Sequence, residues 1–185
     1  MYTIRPAAIG DAPALCAIYA PYVRETTVTF EYIPPTVEEF AERIRAISQK
    51  FPYLVCLDGN KIVGYAYAYT FRQRAAYDWD VELSIYVDTA HHRSGIGRLL
   101  YARLEEELRE MGMVNLYVCI TSPNPHSIAF HTALGYTQLA VFPKSGYKHG
   151  KWHDVTWMYK QINPHKNPPE PVYPAPPSNQ TKFDQ

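Results

Sequence analysis

The stretch from Val81 to Gly112 does most to narrow the folds open to this chain. Val81-Glu82-Leu83-Ser84-Ile85-Tyr86-Val87 alternates strictly, which sets four aliphatic side chains on one face of a strand and Glu82, Ser84 and Tyr86 on the other. A loop with two glycines follows, from Asp88 to Arg98. Then Leu100, Leu104, Leu108 and Met111 recur at helical spacing, and Gly112 supplies a stop. A strand that passes through a glycine loop into a long amphipathic helix buries both apolar faces only if the helix folds back onto the sheet. An all-β sandwich and a plain helical bundle are thereby excluded.

The rest of the chain supplies the other layers. Asp11 is placed to cap a helix whose Leu15, Ile18, Tyr19 and Tyr22 share a face, with Pro21 disturbing its end. Thr36 and Glu39 form a capping box ahead of Phe40, Ile44 and Ile47. Tyr53–Leu57 and Lys61–Phe71 read as strands joined through Asp58-Gly59-Asn60, a hairpin signal. Val114, Leu116, Val118 and Ile120 alternate as a further strand. Ser127–Leu134 reads as a short helix stopped by Gly135, with Tyr136–Phe142 and Val155–Tyr159 as closing strands. The expected order is β-α-α-β-β-β-α-β-α-β-β, an α/β domain with a mixed sheet over residues 1–160. From Gln161 onward the chain holds seven of its 16 prolines and almost no aliphatic side chains, so 161–185 is expected to be an extended tail. Its P-x-x-P spacings, Pro168 to Pro171 and Pro174 to Pro177, suit an aromatic groove, although a surface-hugging extension is the plainer expectation.

Composition removes several functions. Eighteen basic and 18 acidic side chains cancel, which gives no electrostatic footprint for nucleic acid or an acidic membrane. No apolar run approaches a bilayer span, and the N-terminus lacks the pattern of a secretory signal. Cys16, Cys56 and Cys119 are odd in number and widely spaced, making neither a disulfide framework nor a zinc pattern, so a reduced cytoplasmic setting is expected. His149 and His153 stand four apart beside Asp154, but flanking glycines make that a loop rather than a metal-binding helix, and no metal is expected. Cys119, alternating with Val118 and Ile120, is expected to pack as a small hydrophobe.

The loop His92-Arg93-Ser94-Gly95-Ile96-Gly97-Arg98 is where the chemistry begins. Amides at a helix start are unpaired, the macrodipole adds partial positive charge, and Arg93 and Arg98 add formal charge. A phosphate or pyrophosphate is the natural guest. The third glycine of a dinucleotide fingerprint is replaced by Leu100, and the Gly-Lys-Ser/Thr of a P-loop does not occur.

These residues resemble the pyrophosphate loop of the GNAT N-acetyltransferase superfamily, with His92 departing from its first position. Three further stretches, YDWDVELSIYV, FHTALGY and GYKHGKWHDV, resemble the phosphinothricin and methionine sulfoximine N-acetyltransferases within it. The resemblance runs from Ile4 to about Tyr159 and leaves the tail outside. It implies acetyl-CoA as co-substrate, a homodimer, and transfer of an acetyl group to the amine of a small amino-acid-like substrate.

Direct attack of an amine on a thioester needs a base, a polarised carbonyl, a proton for the departing thiolate and a pocket that orients the amine. Glu82 matches the family's catalytic glutamate. Main-chain N–H groups of Ile85, Tyr86 and Val87 map to its carbonyl-polarising strand. Arg93, Ser94, Gly95, Ile96, Gly97 and Arg98 map to its cofactor loop. Asn124 is expected either to bond the pantetheine arm or to begin a helix. The family's tyrosine proton donor, seven residues on, is here His131, able to act as acid or as relay. For the substrate, Arg72 and Arg74 offer guanidinium groups to an acid. Phe30 and Glu31 stand where the family places substrate contacts. Tyr147, Lys148 and His149 lie in a loop that reaches the family's active site. Two other readings remain open: a non-catalytic acetyl-CoA sensor, and an acetyltransferase for an aminoglycoside or a protein N-terminus.

Overall fold

A computed structural model describes residues 1–174 of the 185. The elements are β1 (Tyr2–Pro6), α1 (Ala12–Glu25), α2 (Val37–Ser48), β2 (Tyr53–Asp58), β3 (Lys61–Thr70), β4 (Asp80–Val87), α3 (Ile96–Glu110), β5 (Asn115–Ser122), α4 (Pro125–Ala133), β6 (Thr137–Lys148) and β7 (Lys151–Gln161). This is the order expected from the periodicities. The strands form a single mixed sheet in the order β1-β2-β3-β4-β5-β7-β6. One pair is parallel, β4 with β5.

Helices cover both faces. On one face Leu100, Leu104 and Leu108 of α3 are fully buried against Val81, Leu83, Leu116 and Val118. On the other, α1 and α2 bury Leu15, Ile18, Phe40 and Ile44 over Tyr53, Val55 and Tyr65. The capping box is present in full: the Glu39 amide donates to the Thr36 hydroxyl at 3.1 Å, and the Thr36 amide donates to the Glu39 carboxylate at 2.8 Å.

Several local expectations are corrected. Asp11 stands at the start of α1 but makes no cap bond with its side chain. Its carboxylate instead takes both guanidinium nitrogens of Arg5, at 2.6 and 2.8 Å, and the Ala8 amide. A bidentate pair outcompetes a single amide. Pro21, expected to disturb the end of α1, lies inside the helix, which runs on to Glu25. Buried Val23 and the Tyr22 hydroxyl, bonded to the Val87 carbonyl at 2.5 Å, hold the last turn in place.

The Gly-Tyr-Lys-His-Gly segment is a hairpin rather than a loop. Lys148 pairs with Lys151, and the two residues between them, His149 and Gly150, have φ of 49° and 76°. Positive φ at both positions is the geometry of a two-residue turn matched to strand twist.

Beyond β7 the proline-rich segment runs along the C-terminal end of α3. The Asn163 side chain donates to the carbonyls of Arg109 and Met113, and the Tyr173 amide donates to that of Met111. The Arg109 carbonyl also accepts from the Gly112 amide at 3.1 Å, so these bonds add to a helix end that is already partly paired. The Trp79 indole donates to the Glu170 carbonyl at 2.6 Å. Pro168 to Pro171 lies within this strap, and the Pro174–Pro177 spacing extends outside the described residues. Among the described residues no helix is long and apolar enough to cross a membrane, and all three cysteines are free.

Candidate active site

The parallel pairing of β4 and β5 stops early. Asp80, Val81 and Glu82 pair with Asn115, Leu116 and Tyr117, and no pairing follows. Past Glu82 the two strands separate, so Leu83 to Val87 have no ladder partner on β5. A cleft opens there between strands, lined by Ser84, Ile85, Tyr86, Cys119, Asn124 and His131 among others. The expected carbonyl-polarising strand, Ile85 to Val87, thus borders the opening. A larger surface depression, about 560 Å³, lies at the far side of α1, where its charged residues are paired as Arg5–Asp11 and Lys61–Asp88. It does not reach these groups.

Residues 88–95 lead from β4 to the N-terminus of α3. Gly95 precedes it with φ of 88°, and a Cβ built there would meet nothing within 4 Å. An anion can therefore approach the first amides of α3 closely. Arg93, Ser94 and Arg98 are exposed around it, and Arg93 itself has φ of 63°. Two members of the predicted loop serve packing as well. The Ile96 side chain is buried in the core. A Cβ on Gly97 would come within 3.1 Å of the Phe130 ring, so this glycine lets α4 sit against α3. His92, the departure from the family pattern, shares the Tyr22 hydroxyl at 2.9 Å and ties the loop to α1.

Glu82 lies half-buried at the branch point, facing Tyr69 across the β3–β4 ladder. Burial raises its pKa, and the Tyr69 hydroxyl and the charge of Arg72 oppose that rise. Asn124 caps α4, its side-chain oxygen accepting from the Ser127 amide at 3.1 Å. His131 is 4% exposed. Its Nδ1 lies 2.8 Å from the Ser127 carbonyl, which only accepts, so Nδ1 carries the proton and Nε2 accepts from the Tyr101 hydroxyl at 2.9 Å. Burial lowers the imidazole's pKa, and it stays neutral near pH 7.

The residues expected to meet the substrate fall into two groups. Segment 26–36, between α1 and α2, docks on the β6–β7 hairpin. Phe30 covers Gly146, where any Cβ would run into its ring. Lys148, 2% exposed, donates to the Thr29 carbonyl at 2.7 Å, and His149 to that of Thr26 at 3.3 Å. Burial lowers the Lys148 pKa, and Glu31 opposes that. Glu31 is held by both terminal nitrogens of Arg43, at 2.7 and 3.1 Å. Lys148 is therefore a buried strand residue rather than an exposed loop lysine. Arg72 and Arg74 are exposed on the β3–β4 connection, and Arg72 lies over the Phe71 ring, 4.5 Å from its centroid. His153 donates to the Lys148 carbonyl at 3.0 Å, and no metal-binding cluster occurs among the described residues.

Sequence reading missed Tyr69 and Tyr101 beside the candidate groups and placed Cys119 elsewhere. Tyr69 was legible, since Tyr65, Tyr67 and Tyr69 alternate on the strand face that pairs with Glu82. Tyr101 was not, because its helical spacing marks it as core and only packing brings it to His131. Cys119 is corrected: it is exposed and lines the cleft, because β5 loses its neighbour where β4 diverges. Its thiol is nevertheless pushed up to about 12, first because the walls of the cleft desolvate it and then by the charge of Glu82, and is a poor nucleophile.

Comparison with known proteins agrees with this geometry. A family profile described as "Acetyltransferase (GNAT) domain" matches residues 4–157. The chain is 37% identical over 172 residues to a phosphinothricin N-acetyltransferase of Streptomyces viridochromogenes, covering 93% of each protein. It is also 37% identical over 118 residues to an L-methionine sulfoximine/L-methionine sulfone acetyltransferase of Salmonella typhimurium, covering 64% of this chain and 69% of that one. Among solved structures, a phosphinothricin acetyltransferase from Sinorhizobium meliloti in complex with acetyl-CoA superposes with a TM-score of 0.87. That pair is 34% identical and covers 94% of this chain and 96% of the other. With the splayed strands, the helix-end cradle and the family match in agreement, this chain belongs to the GNAT acetyltransferases and is an acyltransferase.

Proposed function

We propose that the protein transfers the acetyl group of acetyl-CoA to the amino group of a small amino-acid-like substrate of the phosphinothricin or methionine sulfoximine/sulfone type. The observation that carries this is the placement of Glu82, a carboxylate with a raised pKa, where the β4–β5 splay begins. The exposed amides of α3 and the open approach at Gly95 fit a pyrophosphate, with Arg93 and Arg98 beside it. Ser94 bonds the His91 carbonyl at 2.6 Å and shapes the loop. When bound, acetyl-CoA supplies the acetyl group as an activated thioester.

The chain's own residues account for the remaining requirements. Glu82 removes a proton from the ammonium, directly or through water, and its raised pKa makes that transfer easier near neutrality. Main-chain N–H groups on Leu83 to Val87 that lack a partner on β5 polarise the carbonyl. Asn124 shapes the wall of the cleft by starting α4. His131 Nε2 holds the Tyr101 hydroxyl until acetyl transfer; Tyr101, which burial keeps protonated, then turns that proton to the departing thiolate as the C–S bond breaks. Two protons therefore leave the ammonium: Glu82 takes the first and passes it to solvent, and the second, shed by nitrogen once the C–N bond has formed, returns to Tyr101 to replace the proton given to sulfur. Arg72 and Arg74 orient the substrate's acid group, while Phe30, Glu31, Lys148 and His149 build the opposite wall.

The partner in this reading is a second copy of the chain. Edge strand β6 and its hairpin expose Leu139, Val141, Phe142, Tyr147 and Trp152 together, an apolar surface suited to self-association. The setting is cytoplasmic, where free thiols persist.

The test is thiol release from acetyl-CoA across phosphinothricin, methionine sulfoximine, methionine sulfone, ordinary amino acids, polyamines and an aminoglycoside. Turnover confined to the oxygenated amino acids is expected. Binding of acetyl-CoA without transfer to any amine would instead indicate a sensor.

A further inference from the structure

The aromatic cluster next to Glu82 in the sheet contains one polar atom that the proposed chemistry leaves unused. Trp157 Nε1 is buried and has no hydrogen-bond acceptor among the described residues. Native interiors almost always pair a buried N–H, because leaving it unpaired forfeits its solvation without return. The sheet specifies what lies nearby. Trp157 stands opposite Cys119 in the β5–β7 ladder, on the face that carries Tyr117, and Tyr117 in turn stands opposite Glu82. Phe71 stacks on Tyr117 with centroids 4.2 Å apart and meets Trp157 edge-on at 5.9 Å. Over Phe71 sits Arg72, which bonds the adjacent Phe71 carbonyl rather than a carboxylate.

We propose that the Trp157 indole N–H, which shares the Phe71 ring with Arg72, donates to an oxygen on the distal end of the substrate's side chain. It thereby selects amino acids bearing an oxo or oxyacid group over thioether or aliphatic ones. This rests on the small-amino-acid reading above. The reach is consistent. From β4 to β7 is two strand spacings, about 10 Å. An amino acid with an oxygen on its δ atom spans about 6 Å from nitrogen to oxygen by standard bond lengths, and a hydrogen bond of about 3 Å extends it at each end. Trp157 is a specificity-determining residue in this scheme, and no step of acetyl transfer passes through it.

The experiment compares methionine sulfone with methionine as acceptors for the whole protein and for Trp157→Phe. The wild type should prefer the sulfone. In Trp157→Phe, kcat/KM for the sulfone should fall about five- to tenfold, as for one lost hydrogen bond. Methionine turnover and the KM for acetyl-CoA should hold. Equal losses on both acceptors, or an unchanged ratio, would overturn the proposal and assign Trp157 to packing alone. A wild type inactive on every amino acid would remove the reading beneath it as well, which is a separate result. Should Trp157→Phe fail to fold, the wild type labelled with 15N-tryptophan provides the test. It has three indole signals, assigned with Trp79→Phe and Trp152→Phe. The Trp157 signal should move downfield with methionine sulfone and stay put with methionine, and no movement would overturn the proposal.

Discussion

Glu82 shows how a single residue is set against the stability of its own fold. Burial raises its pKa, so the folded state prefers the protonated acid. Stability is therefore lost as pH rises from the ordinary glutamate value, about 4.3, through the higher value in the fold. The proposed catalysis has the opposite dependence, since in it the carboxylate acts as the base. We expect kcat/KM to rise with pH, with its inflection above the ordinary glutamate range. Glu82→Gln should abolish that limb, lower kcat about 100-fold or more and leave acetyl-CoA binding intact. The same variant should melt higher than wild type at pH 8. A lower melting temperature with unchanged turnover would sink the assignment. Gly146 is a steric counterpart: a methyl group there collides with Phe30. Gly146→Ala should cost about 1–3 kcal/mol, as overpacking does, and raise the KM for the amine more than that for acetyl-CoA.

At the scale of elements, the proline-rich strap is the part whose role was least expected. It pairs carbonyls at the end of α3 and fastens Trp79, which lies just before β4. Asn163→Ala removes two side-chain hydrogen bonds, together worth about 1–3 kcal/mol. For a chain of this size that is roughly 3–10 °C in Tm, measurable by scanning calorimetry. If truncation before Ile162 leaves Tm unchanged, the strap is only a passenger. The helices themselves were easier to read, because the Thr36–Glu39 capping box and the Leu100-Leu104-Leu108 stripe are local patterns with one good solution. The His149–Gly150 turn was misread as loop because a histidine at positive φ is uncommon, and strand pairing decided the matter.

For the whole molecule, the sheet leaves β6 on an open edge with apolar side chains exposed. Such an edge invites pairing unless covered. Sedimentation velocity should show a dimer, and Leu139→Glu combined with Trp152→Glu should give a folded monomer. A monomeric wild type would leave that surface without its proposed partner.

What the sequence determined by itself was everything that depends on neighbours along the chain. Alternation and helical spacing, with turn and cap residues, settle element order, and the strand–glycine loop–helix succession marks the proposed anion cradle. The face shared by Glu82, Ser84 and Tyr86 follows from period-two geometry alone. Only the tertiary structure decided where β4 and β5 part, because strand divergence is a property of two segments some 30 residues apart. That divergence exposes Cys119, while helix packing joins Tyr101 to His131 and strand register sets Trp157 beside Phe71. Contacts of that kind are fixed by long-range packing, which leaves no periodic trace in the local sequence.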